Sequence, residues 1–478
     1  MELYKISLST ADFLVLAIYI IAILYIGFFV ARKKETSITA STEEFILAGR
    51  GITLPIFVGT LVATWYGNIL GIGEFIYNDG IVAWVCFAFP YYIAAGFFAG
   101  FIAKKIRTSN VKTIPEQMLN KYGRNASIVA SIIVLVITIP AAYILILGVL
   151  IQVFIGLELW LCIIIGTLLS MAFLFTGGFR ADILTNSAQF ILMYLGFGVL
   201  LYFTITYFGS PEKMLNELPE RQLEITGGYG WQFVLVWFII SFQTFVDPSF
   251  HQRCAAAKSP EIAQKGIIIS IICWMIFDFL TLSTGLYASA YINASNPMMS
   301  YPVLADIVLP YFWKGLFLVT LLATVMSTLD SYAFISGITI GNDILDPIKS
   351  KITFLKKLSS QSLSKIGLAI TAVLGIFMAI ALPSAVQLIY KTSSIAVPGL
   401  LFPLIITYSD RYRLNRHKIV LLMLFSSLTS ALWTLGNTMA YQKDFILSGI
   451  FISIEPMVPG IIVSLVLSIV FIKKEKMG

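Results

Sequence analysis

The sequence predicts an all-α integral membrane protein with about 13 transmembrane helices, arranged as inverted 5+5 helix repeats with discontinuous first helices. Three observations lead there. The chain of 478 residues is 58% hydrophobic and only 12% charged, about half the charge of an ordinary soluble domain. Apolar runs of about 18 or more residues recur from end to end. Two of those runs, at corresponding places in a repeat, contain residues that break helices.

The predicted spans lie near 10–31, 54–78, 81–103, 126–154, 157–176, 183–208, 231–249, 266–292, 313–342, 364–389, 394–408, 418–439 and 456–472. The first is too long and too weakly flanked for a cleavable signal peptide, so it is expected to be a retained helix. The chain divides into a first helix and inner loop (1–53), a first five-helix repeat (54–208), an outer loop (209–230), a second repeat (231–408), and two C-terminal helices with a short inner tail (409–478). Lys and Arg test this alternation. With the N-terminus outside and the C-terminus cytoplasmic, 26 of the 32 basic residues fall on the inner side, as the positive-inside rule requires. A missing or extra span in the middle would scramble that split. The six outer ones are Lys5, Lys213, Arg221, Lys314, Lys391 and Lys443. The net charge of +7 therefore reflects topology in the plasma membrane and not nucleic-acid binding. Between spans, the stretch Asn296–Pro310 reads as an external amphipathic helix across the mouth of a cavity.

Composition excludes several functions. Four scattered cysteines, mostly within apolar runs, suggest no disulfide framework. The two histidines, His251 and His417, are far apart, so no histidine metal cluster is expected. There is no phosphate-binding Gly-Lys-Ser/Thr loop for ATP-driven transport, and no catalytic constellation for an enzyme. No obligatory protein partner is evident. The partners expected are the lipid bilayer, a small-molecule solute and a cation.

The first broken span contains Ala63–Glu74, where Gly67, Gly71 and Gly73 join Asn68 and Glu74 to weaken a helix in mid-span. The second ends in Gln243-Thr-Phe-Val-Asp247-Pro248. Pro248 removes a backbone donor and disfavours helix at Asp247. Both breaks release carbonyls that can hold a cation or a solute, although membrane helices also tolerate Gly and Pro for packing.

The ninth span carries ATVMSTLDSY, Ala323–Tyr332. Thr324, Ser327, Thr328 and Ser331 recur at helical spacing, so a helix places four hydroxyls on one face, with Asp330 beside it. A carboxylate in a membrane span costs about 2.5–3.5 kcal/mol and usually has a partner or a task. Oxygen ligands with one carboxylate suit a hard cation such as sodium. Small hydroxyl residues also let helices pack closely.

The ordered motifs carry a resemblance. Thr113-Ile-Pro-Glu-Gln-Met, Gly177-Gly-Phe-Arg-Ala181, Gln252-Arg-Cys-Ala-Ala-Ala-Lys258-Ser, Pro302-Val-Leu-Ala, Lys314-Gly-Leu-Phe-Leu and Met326-Ser-Thr-Leu-Asp-Ser331 together resemble the sodium:solute symporter family, which has the leucine-transporter-like inverted-repeat fold. The resemblance implies a sodium site formed by backbone oxygens of Ala63, Tyr66 and Thr324 and the hydroxyls of Ser327 and Thr328. It also implies a solute site between the broken helices, with Trp65, Asn68, Ile69, Gln243 and Asp247 at contact positions and Phe250 and Glu74 at gates. One departure matters. Many members carry an aspartate where this chain has Asn186. Asp330 is favoured as the replacement, making Asn186, Asp330 and Ser331 a possible second cation site. Asp182, one turn before Asn186, is expected in a surface ion pair with Arg180.

Asp247 favours a cationic or amine-bearing solute, or else caps the amides after Pro248. The resulting expectation is sodium-coupled symport of a small organic solute by alternating access. The alternatives are a proton-coupled transporter of the same fold, with Asp330 or Glu74 titrating, and a transporter-like membrane sensor, which the short C-terminal tail disfavours.

Overall fold

The computed structural model describes residues 6–31, 38–382, 385–442 and 454–474. Lys5, Arg32, Lys33, Lys34, Lys443 and Lys476 of the charge alternation lie outside them. The described chain is helical apart from a two-stranded ribbon pairing Tyr412–Leu414 with Ile472–Lys474. Among the described residues, nine helices are long and apolar enough to cross a membrane, and four shorter apolar helices accompany them.

The helix Trp313–Ile338 runs through the middle, with nearly all of its residues buried. Its start is fixed by the N-terminal helix Thr10–Tyr25. Asp12 accepts from the backbone amides of Phe312 (2.9 Å) and Gly315 (2.7 Å), so one carboxylate satisfies two of the orphan donors at the central helix's N-terminus. Its flank is held by the helix Leu174–Phe208. Gly196 lies so close to Thr320 that a Cβ there would sit 1.9 Å from the threonine oxygen. In lipid no hydrophobic force drives helices together, so close backbone approach and interhelical hydrogen bonds hold the bundle. Phe13, Phe97, Phe279 and Phe377, among other large apolar side chains, remain exposed on the outer surface, as a lipid-facing surface requires.

Both expected breaks are present. The first separates Leu54–Ala63 from Ile69–Asp79. The second follows Trp231–Ile240: a 3-10 turn over Ser241–Phe245 and an extended Asp247 precede Pro248–Ala256. A third break was not foreseen. The predicted span 126–154 is two helices, Arg124–Thr138 and Ala141–Ile155, because Pro140 forces Ile139 into extended backbone.

Loops predicted on one side meet in space. Arg50 donates to the carbonyls of Ala255 (3.2 Å) and Asn110 (2.8 Å), and Arg107 donates to that of Ala257 (2.6 Å). At the opposite end, Gln222 donates to Tyr77 and Asn78, and Arg221 pairs with Asp79 at 3.4 Å. The turn Pro297–Met299 and the helix Ser300–Val308 lie at that second end, with Met298 and Met299 of the turn and Val303 of the helix facing a large cavity.

Candidate cation and solute site

The hydroxyl face of the central helix meets the first break. Ser327 Oγ donates to the carbonyls of Ala63 (2.8 Å) and Thr324 (2.9 Å), and Thr328 Oγ1 donates to that of Thr64 (2.9 Å). All five residues are at most 4% exposed. Gly67 permits the approach: a Cβ there would stand 2.5 Å from Thr328 Cβ. Hydroxyl protons rotate freely. A cation entering this gap would turn the oxygen lone pairs towards itself and take over the carbonyls that the hydroxyls now satisfy.

The resemblance implied the carbonyl of Tyr66, but Thr328 meets that of Thr64. The last helical turn extends to Thr64 and Trp65 through bonds back to Thr60 and Val62, so the Thr64 carbonyl is the one turned towards the central helix. The phenol of Tyr66 donates to Asp278 at 2.9 Å.

The three residues expected at a second site are not held together. Asn186 and Ser331 do come together, but around Asp182 and Arg253 and not around Asp330. Ser331 Oγ donates to Asp182 (2.8 Å) and accepts from Arg253 (2.8 Å), while Asn186 donates to Asp182 at 3.1 Å and to Ser331 at 3.0 Å. Arg253 also reaches the hydroxyls of Thr60 (3.0 Å) and Thr64 (2.6 Å), and its guanidinium lies 3.6 Å from the Asp182 carboxylate. Asp182, Asn186, Arg253 and Ser331 are all 0% exposed. Asp182 is therefore no surface residue. The helix begins nine residues N-terminal of the expected start, runs through a kink at Gly178, and carries Asp182 into the interior. Arg180 pairs with Glu44 instead. Arg253, counted among the basic residues of the inner side, is wholly buried because Pro248–Ala256 folds inward. Asp330 stands apart, bonded by Ser170 from the helix Leu159–Met171.

Between the breaks opens a cavity of about 1140 Å³. Trp65, Asn68, Glu74, Gln243 and Asp247 line it. Ile69 does not: it is fully buried on the opposite side of its helix, one position past the face that carries Asn68, Gly71, Ile72 and Phe75. Phe250 is buried and outside the lining, its ring centroid 5.8 Å from that of Trp65 and 5.9 Å from that of Trp274. Asp247 performs two tasks. One oxygen caps Ser249 N (2.7 Å) and the other accepts from Tyr332 (2.8 Å).

Sequence reasoning missed Asp278. It sits in the wall of this cavity, accepting from Tyr66 and from Tyr92. The signal that marked Asp330, a carboxylate inside an apolar span, was equally present in Pro260–Tyr291.

With this geometry in view, comparison with known proteins assigns the family. The sodium:solute symporter family model matches residues 45–413. The chain belongs to the sodium:solute symporter family. It is 26% identical to the sodium/pantothenate symporter of Haemophilus influenzae, over 75% of this chain and 76% of that one. It is 23% identical to the high-affinity choline transporter 1 of Drosophila melanogaster, over 83% and 66%. In fold it resembles a Na+-coupled sialic acid symporter (TM-score 0.78, 14% identity, covering 98% and 100%) and the nucleobase-cation-symport-1 family transporter Mhp1 (TM-score 0.57, 13% identity, covering 89% and 94%). This sodium:solute symporter family member is thus a multi-pass membrane transporter of the inverted-repeat fold, and not an enzyme.

Proposed function

We propose that the protein carries a small organic solute into the cell together with sodium, by alternating access across the plasma membrane, with its N-terminus outside and its C-terminus in the cytoplasm. The observation that carries this reading is the contact of Ser327 and Thr328 with the carbonyls of Ala63 and Thr64. It joins the broken helix to the central helix through oxygen atoms alone, which is the chemistry of a hard cation. Sodium there would favour whichever state brings the two helices together, because a ligand shifts an equilibrium only by its differential affinity for the states. The membrane potential adds about 2.3 kcal/mol per charge per 100 mV. The basic loops gathered at one end support the orientation. Relatives named for pantothenate and choline differ in the charge of their solutes, so the family by itself does not select one.

The test is a thermal-shift screen of purified protein against metabolites in sodium and in potassium. A solute that stabilises only in sodium supports symport. Equal stabilisation in both salts sinks the coupling.

A second reading concerns Asp330. Its Oδ2 is buried without a hydrogen-bond partner among the described residues, and no ion pair to it is found among them. Such a carboxylate calls for a second cation, sodium or a proton. If sodium binds there, Asp330→Asn is expected to make uptake less steeply dependent on sodium. If a proton binds, the variant should flatten the pH dependence instead. A variant unchanged on both counts would leave Asp330 a structural residue.

A further inference from the structure

The wall of the solute cavity is electrically one-sided. Among the described residues lining it are the carboxylates Glu74, Asp79, Asp247 and Asp278, and no Lys, Arg or His. Asp79 pairs with Arg221, and Asp247 spends its two oxygens on the amide of Ser249 and the hydroxyl of Tyr332. Asp278 makes no ion pair among the described residues. It accepts hydroxyls from Tyr66 and Tyr92, which supply hydrogen bonds but no positive charge. Asp278 is partly exposed to the cavity, and an ionised carboxylate in a membrane span without a counter-charge is unfavourable.

Its surroundings suit a particular counter-charge. Trp274, one turn before Asp278, packs against Trp65 with ring centroids 5.3 Å apart. Tyr66, which holds Asp278, is the next residue after Trp65. The carboxylate and an aromatic corner of the cavity are therefore neighbours, and aromatic faces attract cations. Asn68, on the same wall, has its Oδ1 buried with no donor among the described residues. The carboxylate and the aromatic faces lack the same thing, a positive charge, and the orphan acceptor of Asn68 lacks a donor, which the N–H of a protonated amine or the hydroxyl of an amino alcohol would supply.

We infer that the transported solute carries a protonated or quaternary nitrogen, and that Asp278 is the residue that selects it. Anionic solutes are repelled by a wall that offers them no cation. Neutral polyols leave the charge of Asp278 unbalanced. The inference rests on the symport reading above for the location of the solute, but its test separates the two.

Purified protein is followed by thermal shift in sodium and in potassium with choline, putrescine and lysine as cationic probes, glucose as a neutral probe and pantothenate as an anionic one. At least one cationic probe is expected to stabilise in sodium. Asp278→Asn should weaken its apparent affinity about ten- to hundredfold while leaving stabilisation by sodium alone intact, which also reports that the variant is folded. Asn68→Asp adds a carboxylate at the same wall and should tighten the cationic probe; it carries the test if Asp278→Asn loses its sodium response. The inference is overturned if glucose or pantothenate stabilises and no cationic probe does, if no cationic probe stabilises in either salt, or if the probe binds the variants as it binds the native protein. A cationic probe that stabilises equally in potassium leaves the charge selection standing and sinks the coupling.

Discussion

Ser327→Ala and Thr328→Val are each expected to raise the sodium concentration for half-maximal uptake by about tenfold or more, with only a small loss of folded protein. Both hydroxyls reach across to the first broken helix, at 2.8 Å and 2.9 Å from the carbonyls of Ala63 and Thr64. Each substitution removes one oxygen from the proposed cation shell. Valine keeps the shape of threonine, so packing against Gly67 survives. The stability loss should stay near the net worth of one hydrogen bond plus a stranded carbonyl, about 1–3 kcal/mol. Sodium-dependent uptake and thermal unfolding, measured on the same preparations, separate the two effects. Unchanged sodium affinity in both variants would mean that these hydroxyls are only packing groups and that the cation binds elsewhere.

Arg253→Gln should have the largest effect on stability, about 3–5 kcal/mol, because it strands the Asp182 carboxylate in the interior. The guanidinium bridges Thr60 and Thr64 on the broken helix, Ser331 on the central helix and Asp182 on Leu174–Phe208. Ser331 relays it to Asp182 through two bonds of 2.8 Å, since the direct separation of 3.6 Å is too long for a hydrogen bond. Asp182→Asn alone should be similarly harmful, because it leaves the guanidinium unpaired. The double variant should recover much of the loss, since a neutral pair of similar volume carries no desolvation cost. Thermal unfolding of the four proteins in detergent forms the cycle. Additive single losses would show that the two residues do not act as a pair. Thr64 links the two predictions. Its hydroxyl accepts from Arg253 and its carbonyl from Thr328, so Arg253→Gln should also weaken sodium affinity.

Much of the site was legible in one dimension. Gly67 and Pro248 act through their own backbone and stand at the two breaks, whereas Gly71 lies inside the helix Ile69–Asp79. The spacing of Thr324, Ser327 and Thr328 sets a single helical face regardless of what that face meets. The errors fell on residues whose role depends on a distant partner. Asp182 was expected beside Arg180, its sequence neighbour, yet it pairs with Arg253 from another repeat. Asp330 was expected beside Asn186, but it points to Ser170, 160 residues away. Ile69 follows Asn68 directly and still faces away from the cavity, because one residue turns a helix by about 100°.

From sequence alone, then, came a membrane protein with two broken helices and a hydroxyl-bearing central span, since hydropathy, backbone freedom and helical period are local properties. Only the tertiary structure decided that Arg253 and Asp182 close one buried cluster and that Asp278 stands without a counter-charge in the cavity wall. Those pairings join residues 71 to 212 positions apart, and nothing local to either member specifies which helix it will face.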